Sequence, residues 1–395
     1  MRQQADQQLT TIKKNKKYMT KTVLTNERNL PLDVLRGLTV ALMITVNNPG
    51  SWSAIYAPLA HSEWHGFTLT DLVFPTFLFV VGNAISFTLP KAAKDGPLVF
   101  FKKIVKRTFL IFAIGFLLNY FPFYQIENGS FALTNIFEVR LWGVLQRIAV
   151  CYFFANLILY YANVFWSIVT GIVLLLAYWG ISYYFGDPAS PYSLEGNASG
   201  KLDLILFNAK NLYQGFGIPF EPEGLLSTLP AIVNVLAGYL TGYYIKKMGS
   251  GLDTTLRIFL LAMGLLIVSN LWDIDFPINK PIWSSSYVLL TVGWDLVVLA
   301  ILILIIDVWR FKKWSYFFVV FGKNPLFIYI MSWIISDVLS LIPIGEKSLR
   351  STLYQTGYLS WMGEKNASFA FAISFMLLMW LIGLVMDRKK IYVRV

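Results

Sequence analysis

Of 395 residues, 56% are hydrophobic, 16% aromatic and only 14% charged, whereas a soluble domain carries roughly 25% charged residues. That composition excludes an ordinary soluble enzyme, and the net charge of +11 reads as a membrane-topology signal rather than as nucleic-acid binding. The single cysteine, Cys151, lies within an apolar run, which excludes an intramolecular disulfide and a thiolate metal cluster.

In chain order, residues 1–28 are polar and expected to form a flexible cytoplasmic tail. Their lysines (Lys13, Lys14, Lys16, Lys17, Lys21) resemble the start of a signal peptide. No small-residue cleavage site follows, so the next apolar segment is expected to remain as the first span. Residues 29–395 read as one transmembrane domain. Runs long enough for a hydrocarbon core of roughly 30 Å predict spans at about 33–49, 69–89, 108–124, 139–160, 164–185, 228–245, 257–272, 286–308, 316–338 and 368–386. The expected fold class is an all-α integral membrane protein, a polytopic bundle of about ten transmembrane helices. With the N-terminus in the cytoplasm, Lys and Arg on that side outnumber those on the other by more than three to one, so both termini are expected to be cytoplasmic. The long outer connections, 186–227 and 339–367, are rich in Gly, Pro, Asn and aromatic residues and are expected to be ordered caps.

Ionisable groups at membrane depth are costly unless paired or hydrated, which makes each a candidate for function. The first span ends in Val46-Asn47-Asn48-Pro49-Gly50. The connection after it holds both histidines of the chain, in His61-Ser62-Glu63-Trp64-His65-Gly66, and runs through Thr70-Asp71 into the second span. Asn47, His61, His65 and Asp71 therefore fall within one short excursion. Imidazole can take and return a proton near neutral pH, a carboxylate or amide can orient its ring, and an asparagine N–H can receive a developing oxyanion. Such a group suits attack by an amine or hydroxyl on an activated carbonyl. The competing reading is that these side chains anchor helices among lipid headgroups. Two histidines without thiols fall short of the three protein ligands of a catalytic zinc, so no metal is expected.

Further along, Gly143-Val144-Leu145-Gln146-Arg147 puts a guanidinium inside the fourth span. Arg147 either makes a structural ion pair, with Asp71 or Asp295, or holds a phosphate or carbonyl in a polar cavity. Arg36, three residues after Asp33, carries the same two readings. The cluster Lys102, Lys103, Lys106 and Arg107 attracts an anionic cofactor or meets anionic lipid. The strings Phe220-Glu221-Pro222-Glu223-Gly224 and Pro277-Ile278-Asn279-Lys280-Pro281 either bind a sugar or are polar loops beside an aromatic belt. In the ninth predicted span, Gly322-Lys323-Asn324-Pro325 interrupts the apolar run, which is tolerated only against protein or a wet cavity.

Together these strings resemble the heparan-alpha-glucosaminide N-acetyltransferase family of transmembrane acyltransferases, in a bacterial form without the luminal domain. The matching pieces are Leu32-Asp33-Val34-Leu35-Arg36-Gly37, Val46-Asn47, the stretch from His61 to Pro75, Gly143 to Arg147, Pro222 to Thr228, and Asn279-Lys280 followed by Trp283-Ser284. They occur in family order across roughly residues 30 to 386. The resemblance implies an acetyl-CoA-dependent N-acyltransferase that moves acetyl from cytoplasmic acetyl-CoA to the amine of a glucosamine-type sugar at the periplasmic side. It implies His61 as base or transient acyl carrier, in the family's H-x-x-W position, and Asn47 as the catalytic asparagine. Gln146 and Arg147 match a pair that contributes to the donor cavity, and Arg36, Lys323 and Asn324 are grouped with them toward acetyl-CoA. Trp64, His65, Asp71, Glu223, Asn279 and Lys280 are the expected acceptor contacts. Two departures stand out: His65 occupies a position where the family has asparagine, and Gly322-Lys323-Asn324-Pro325 follows the G-x-N pattern loosely. The expected setting is a multi-pass protein of the bacterial inner membrane, with the bilayer, acetyl-CoA and an amino-sugar acceptor as partners and a homodimer as the candidate assembly. The rival function is a membrane transporter of amino sugars or sugar conjugates, which polar groups at the midplane and broken helices also fit.

Overall fold

Hydrocarbon offers no partner for a backbone N–H or C=O, so apolar segments that enter it must close their hydrogen bonds internally, as helices do. The computed structural model describes residues 29–127 and 130–393; the predicted polar tail, 1–28, lies outside them. The helices are α1 (Leu30–Asn47), α2 (Leu69–Ala92), α3 (Pro97–Tyr120), α4 (Val144–Tyr161), α5 (Val164–Phe185), α6 (Ala198–Leu206), α7 (Thr228–Met248), α8 (Leu252–Trp272), α9 (Ser285–Ile303), α10 (Ser315–Lys323), α11 (Pro325–Leu341), α12 (Leu349–Tyr354) and α13 (Glu364–Arg388). Strand among the described residues is confined to two antiparallel hairpins, Tyr124–Glu127 with Ser130–Leu133 and Pro343–Ile344 with Lys347–Ser348.

Among the described residues, seven helices (α1, α2, α4, α5, α8, α9 and α13) are long and apolar enough to cross a membrane, or eight if the bent pair α10–α11 forms one span. The other two predicted spans fall on α3 and α7. Lys102, Lys103, Lys106 and Arg107 line the first half of α3, and α7 is diluted by Pro230, Asn234 and three tyrosines.

Three predicted boundaries differ, each for a local reason. Helix α3 begins at Pro97 rather than near 108, because Gly96, at φ +86°, turns the chain and Pro97 opens the first turn. Helix α4 begins at Val144 rather than near 139. The Asn119 amide donates to the carbonyls of Arg140 (3.0 Å) and Trp142 (2.8 Å), holding that stretch out of the helix. The ninth predicted span is broken into α10 and α11, bent by 82°. Pro325 has no N–H to continue the ladder. The Asn324 side chain at the break instead donates to Ile391 O (3.0 Å) and accepts from Val393 N (2.9 Å).

Small residues let the central helices approach backbone to backbone, the form of contact that replaces hydrophobic drive inside a bilayer. A Cβ on Gly82 of α2 would lie 1.9 Å from Val235 O of α7, and one on Gly238 of α7 would lie 1.9 Å from Phe79 O of α2. The two helices are therefore locked by a reciprocal pair of glycines.

The connections at one end of the bundle are tied to one another and to the start of α13. Gly66 N donates to Ile278 O (2.8 Å), Leu141 N to Asn211 O (3.3 Å), and Gly50 N to Ser368 O (3.2 Å). Beneath them Tyr178, Phe220, Phe276 and Ile282 form a buried cluster, with Trp64, Tyr192 and Phe216 packed against it. This apolar floor supports the polar residues described next.

Candidate functional site

The N-terminus of α2 sets the geometry. Thr68 caps the helix, and Asp71, three residues on, closes a capping box. Its Oδ2 accepts from Thr68 N (3.0 Å), Thr68 Oγ1 (3.0 Å) and Ser62 N (3.1 Å). The other oxygen, Oδ1, faces His61 Nδ1 at 2.7 Å. Asp71 is 1% exposed and the His61 side chain 49%, so a buried carboxylate aims an accessible ring. An N–H on Nδ1 donates to that carboxylate and leaves the Nε2 lone pair available to a proton. The Tyr287 hydroxyl donates to the Asp71 backbone carbonyl (2.6 Å), bracing the turn from α9.

The loop before α9 brings the second set of groups. Asn279 is fully buried. Its backbone N–H donates to Ser284 Oγ (3.0 Å), its Oδ1 accepts from Ile282 N (2.9 Å), and its Nδ2 meets His65 Nδ1 at 3.3 Å. An amide N–H donates there, so His65 accepts at Nδ1; burial lowers its pKa, against the field of Asp273. Next in sequence, Lys280 Nζ lies 3.0 Å from His61 Nδ1, 3.4 Å from Nε2 and 3.5 Å from Asp71 Oδ1. Burial pulls Lys280 below its usual pKa, while Asp71 and Glu223 favour the ammonium. Trp64 donates from Nε1 to Tyr192 O (2.9 Å) and meets Phe216 and Phe220 edge-on.

A third group flanks these. Arg140 Nε donates to Glu221 Oε2 (2.9 Å), and its Nη2 to Glu221 Oε1 (2.5 Å) and Glu223 Oε2 (2.6 Å). One guanidinium thus serves two carboxylates. Burial pushes fully buried Glu221 up to about 7, against the hydrogen bonds from Arg140. Glu223 goes the other way: burial opposes its charge, but Arg140 and Arg147 hold it below its ordinary value.

At the opposite end of the bundle a cavity of ≈ 240 Å³ is lined by Arg36, Arg107 and Lys323, with apolar walls including Phe77, Val80 and Ile111. Arg36 pairs with Asp33 (3.0 Å), Lys323 with Asp387 (2.6 Å), and Arg107 lies over the Tyr152 ring, 4.8 Å from its centroid.

Of the thirteen residues singled out in the sequence, the structure gathers His61, Asp71 and Lys280 at one point, with His65 hydrogen-bonded to Asn279 next to Lys280 in the chain. Trp64 packs beneath it, and the charge of Glu223 reaches Lys280. The five residues expected around the donor do not form one group. Arg36 and Lys323 line the cavity. Asn324, at the helix break, holds the 391–393 segment. Gln146 and Arg147 lie at the other end, because they occupy the first turn of α4, next to the 221–227 loop. Gln146 donates to Leu141 O (3.1 Å). Arg147, fully buried, donates to Gly224 O (3.1 Å) and Ser227 Oγ and stacks over Trp283 at 4.8 Å. Neither ion pair considered for it forms: Asp71 faces His61, and Asp295 accepts from Thr76 Oγ1 (2.5 Å). Asn47 is the last residue of α1 and exposed; among the described residues no hydrogen bond joins it to His61. Glu221 stands in the sequence only as part of the 220–224 string, and its pairing with Arg140 carries no signal there, since nothing in the spacing joins residues 81 positions apart. Arg107 was visible as one of four clustered cations, without a sign that it alone would line the cavity.

The sequence profile of the family "Heparan-alpha-glucosaminide N-acetyltransferase, catalytic" matches residues 28–251. The heparan-alpha-glucosaminide N-acetyltransferase of Mus musculus is 28% identical over 357 residues, covering 76% of this chain and 52% of the mouse protein. That of Homo sapiens is 27% identical over 354 residues, with the same two shares, 76% and 52%. The chain spans about half the length of the curated relatives it matches. The matched residues contain His61, Asp71, Arg140, Arg147 and both glutamates, while Lys280 and Lys323 lie beyond them.

Proposed function

Because the chain belongs to the heparan-alpha-glucosaminide N-acetyltransferase catalytic family, we propose that it is a membrane acetyltransferase that joins an acetyl group from acetyl-CoA to the amine of a glucosamine-type sugar, with His61 as the base. The observation that carries this reading is the 2.7 Å pair of His61 Nδ1 and buried Asp71. It fixes the ring, presents Nε2 to an incoming amine, and is built on a helix cap that exists before substrate arrives. As the amine attacks the thioester carbonyl, its proton passes to Nε2, and the thiolate released takes that proton away.

The donor approaches from the opposite end. A nucleotide thioester carries several negative charges on a long flexible arm, and the cavity of Arg36, Arg107 and Lys323 offers positive charge beside apolar walls. The chain crosses the bilayer about ten times, with both termini and this cavity on the cytoplasmic side and His61 on the periplasmic side of an inner membrane. Trp64, Glu223 and Asn279 contact the acceptor sugar, and exposed Asn47 orients it. Gln146 and Arg147 shape the path between the two ends by holding the 221–227 loop against α4.

The test is transfer of label from acetyl-CoA to glucosamine by purified protein in liposomes, with His61→Ala and His65→Ala alongside. Labelled N-acetylglucosamine that His61→Ala abolishes and His65→Ala only reduces is the expected result. A wild-type protein that neither binds nor hydrolyses acetyl-CoA contradicts it and leaves the transporter reading in its place.

A further inference from the structure

Attack on a thioester needs two kinds of help. A base removes the proton from the amine, and a positive group receives the charge that builds on the carbonyl oxygen. The His61–Asp71 pair supplies only the first. Asn47, the expected source of the second, has no hydrogen bond to His61 among the described residues, whereas Lys280 lies against the ring itself.

The way it lies there is informative. A ring nitrogen has one in-plane lobe, and that of Nδ1 points to Asp71 Oδ1 at 2.7 Å. Lys280 Nζ, 3.0 Å from Nδ1 and 3.4 Å from Nε2, is therefore not on that lobe. A group on the lobe of Nε2 would be far from Nδ1, so it is not there either. The ammonium flanks the ring and leaves Nε2 open. Its position is held from two directions: Asp71 Oδ1 is 3.5 Å away, and the backbone of its turn is closed by Trp283 N donating to Lys280 O (2.9 Å) and by the Asn279–Ser284 bond (3.0 Å). The side chain is 18% exposed, so its charge acts through little water.

We propose that Lys280 is a catalytic residue whose ammonium stabilises the oxyanion formed on the acetyl carbonyl, rather than an acceptor contact. A carbonyl brought within reacting distance of an amine that is losing its proton to Nε2 lies about 3 Å from that centre, within reach of Nζ. The amine nitrogen forms its bond to the carbonyl carbon, its proton goes to Nε2, and the carbonyl π pair moves to the oxygen facing Lys280. Collapse restores the C=O and breaks the C–S bond, and the thiolate takes the proton from the imidazolium. Lys280 neither gains nor loses a proton in the step; it acts as the ammonium, the form that Asp71 and Glu223 favour against its burial.

This inference rests on acetyl transfer at His61, and its test separates the two. Lys280→Met, Lys280→Arg and His61→Ala are compared with wild type in liposomes for kcat, acceptor KM and acetyl-CoA Kd. Lys280→Met is expected to lower kcat by ~10²–10³-fold, as loss of an oxyanion donor does, with acceptor KM and acetyl-CoA Kd close to wild type. Lys280→Arg retains the charge and more of the rate. A raised acceptor KM at unchanged kcat overturns the proposal and returns Lys280 to sugar binding. If Lys280→Met does not fold, as loss of acetyl-CoA binding would reveal, Lys280→Gln takes its place and is read by the same split. An inert His61→Ala beside a fully active Lys280→Met sinks the lysine alone; an active His61→Ala sinks both readings.

Discussion

At the end of the bundle that carries His61, opposite charges are matched at close range: Lys280 faces Asp71, and Arg140 spans Glu221 and Glu223. At the other end, Arg36 and Lys323 also have acidic partners, Asp33 and Asp387, yet with Arg107 they line a cavity whose other walls are largely apolar. The first region has these bonds and ion pairs formed among its own residues, with the His61 ring already aimed by Asp71. The second is a container with positive charge at its walls, where the proposed reading places the anionic donor. On the proposed reading charge is used in two ways, for preorganisation where bonds are to change and for capture where the donor's nucleotide is to be held. Changes at the first end should therefore act on kcat, and changes at the second on donor affinity.

The largest departure from wild type is expected when the preorganised end loses the group that aims its base. Asp71→Asn keeps the shape but removes the charge that fixes the His61 tautomer, and should lower kcat by on the order of 10²–10⁴-fold. Because Asp71 also closes the α2 cap, the melting temperature should fall, while the acetyl-CoA Kd from titration calorimetry stays the same. An unchanged kcat would break the contrast between the two ends.

An intermediate effect belongs to the cavity. Arg107→Ala should weaken acetyl-CoA by roughly tenfold, as loss of one charge-assisted contact does, with kcat at saturating donor preserved. The loss should shrink as salt is raised, because the lost attraction is screened. A drop in kcat without change in Kd would place Arg107 in the chemistry instead.

The smallest effect is a pH dependence of stability at Glu221. Its carboxyl titrates near 4.5 when unperturbed and at about 7 here, raised by burial. Between those values the folded protein holds a proton that the unfolded chain has released, so this group's contribution to stability falls as pH rises. Glu221→Gln should remove that slope. In thermal melts from pH 4.5 to 7, the variant should gain on wild type as pH increases, and a constant difference would contradict the assignment.

How much of this was legible in the sequence depended on range. The helices were visible because hydrocarbon thickness dictates run length, and His61 with Asp71 because both fall in one excursion ten residues apart. The helix cap that turns Asp71 toward His61 was written there too, as Thr68 followed three residues later by an acid. Lys280 appeared only as a polar residue in a distant loop, since its contact with His61 is closed by the docking of that loop through Gly66 and Ile278. Arg140 was hidden for a different reason. Its segment is apolar enough to read as helix, and only the Asn119 amide, which takes up the carbonyls of Arg140 and Trp142, keeps it in the loop where Glu221 can reach it. Gln146 and Arg147 were grouped with Arg36 and Lys323 by resemblance, and the bundle separates them because α4 starts at one end and α1 at the other.

On the proposed reading donor and acceptor meet from opposite faces of the membrane, and proteoliposomes of one orientation test this. Labelled acetyl-CoA is sealed on the side of Arg36, Arg107 and Lys323, and glucosamine is supplied on the side of His61. N-acetylglucosamine is expected to form on the His61 side, and none when donor is offered on that side alone. Transfer only when both substrates share the His61 side would contradict it, and would leave the cavity without a part in the reaction.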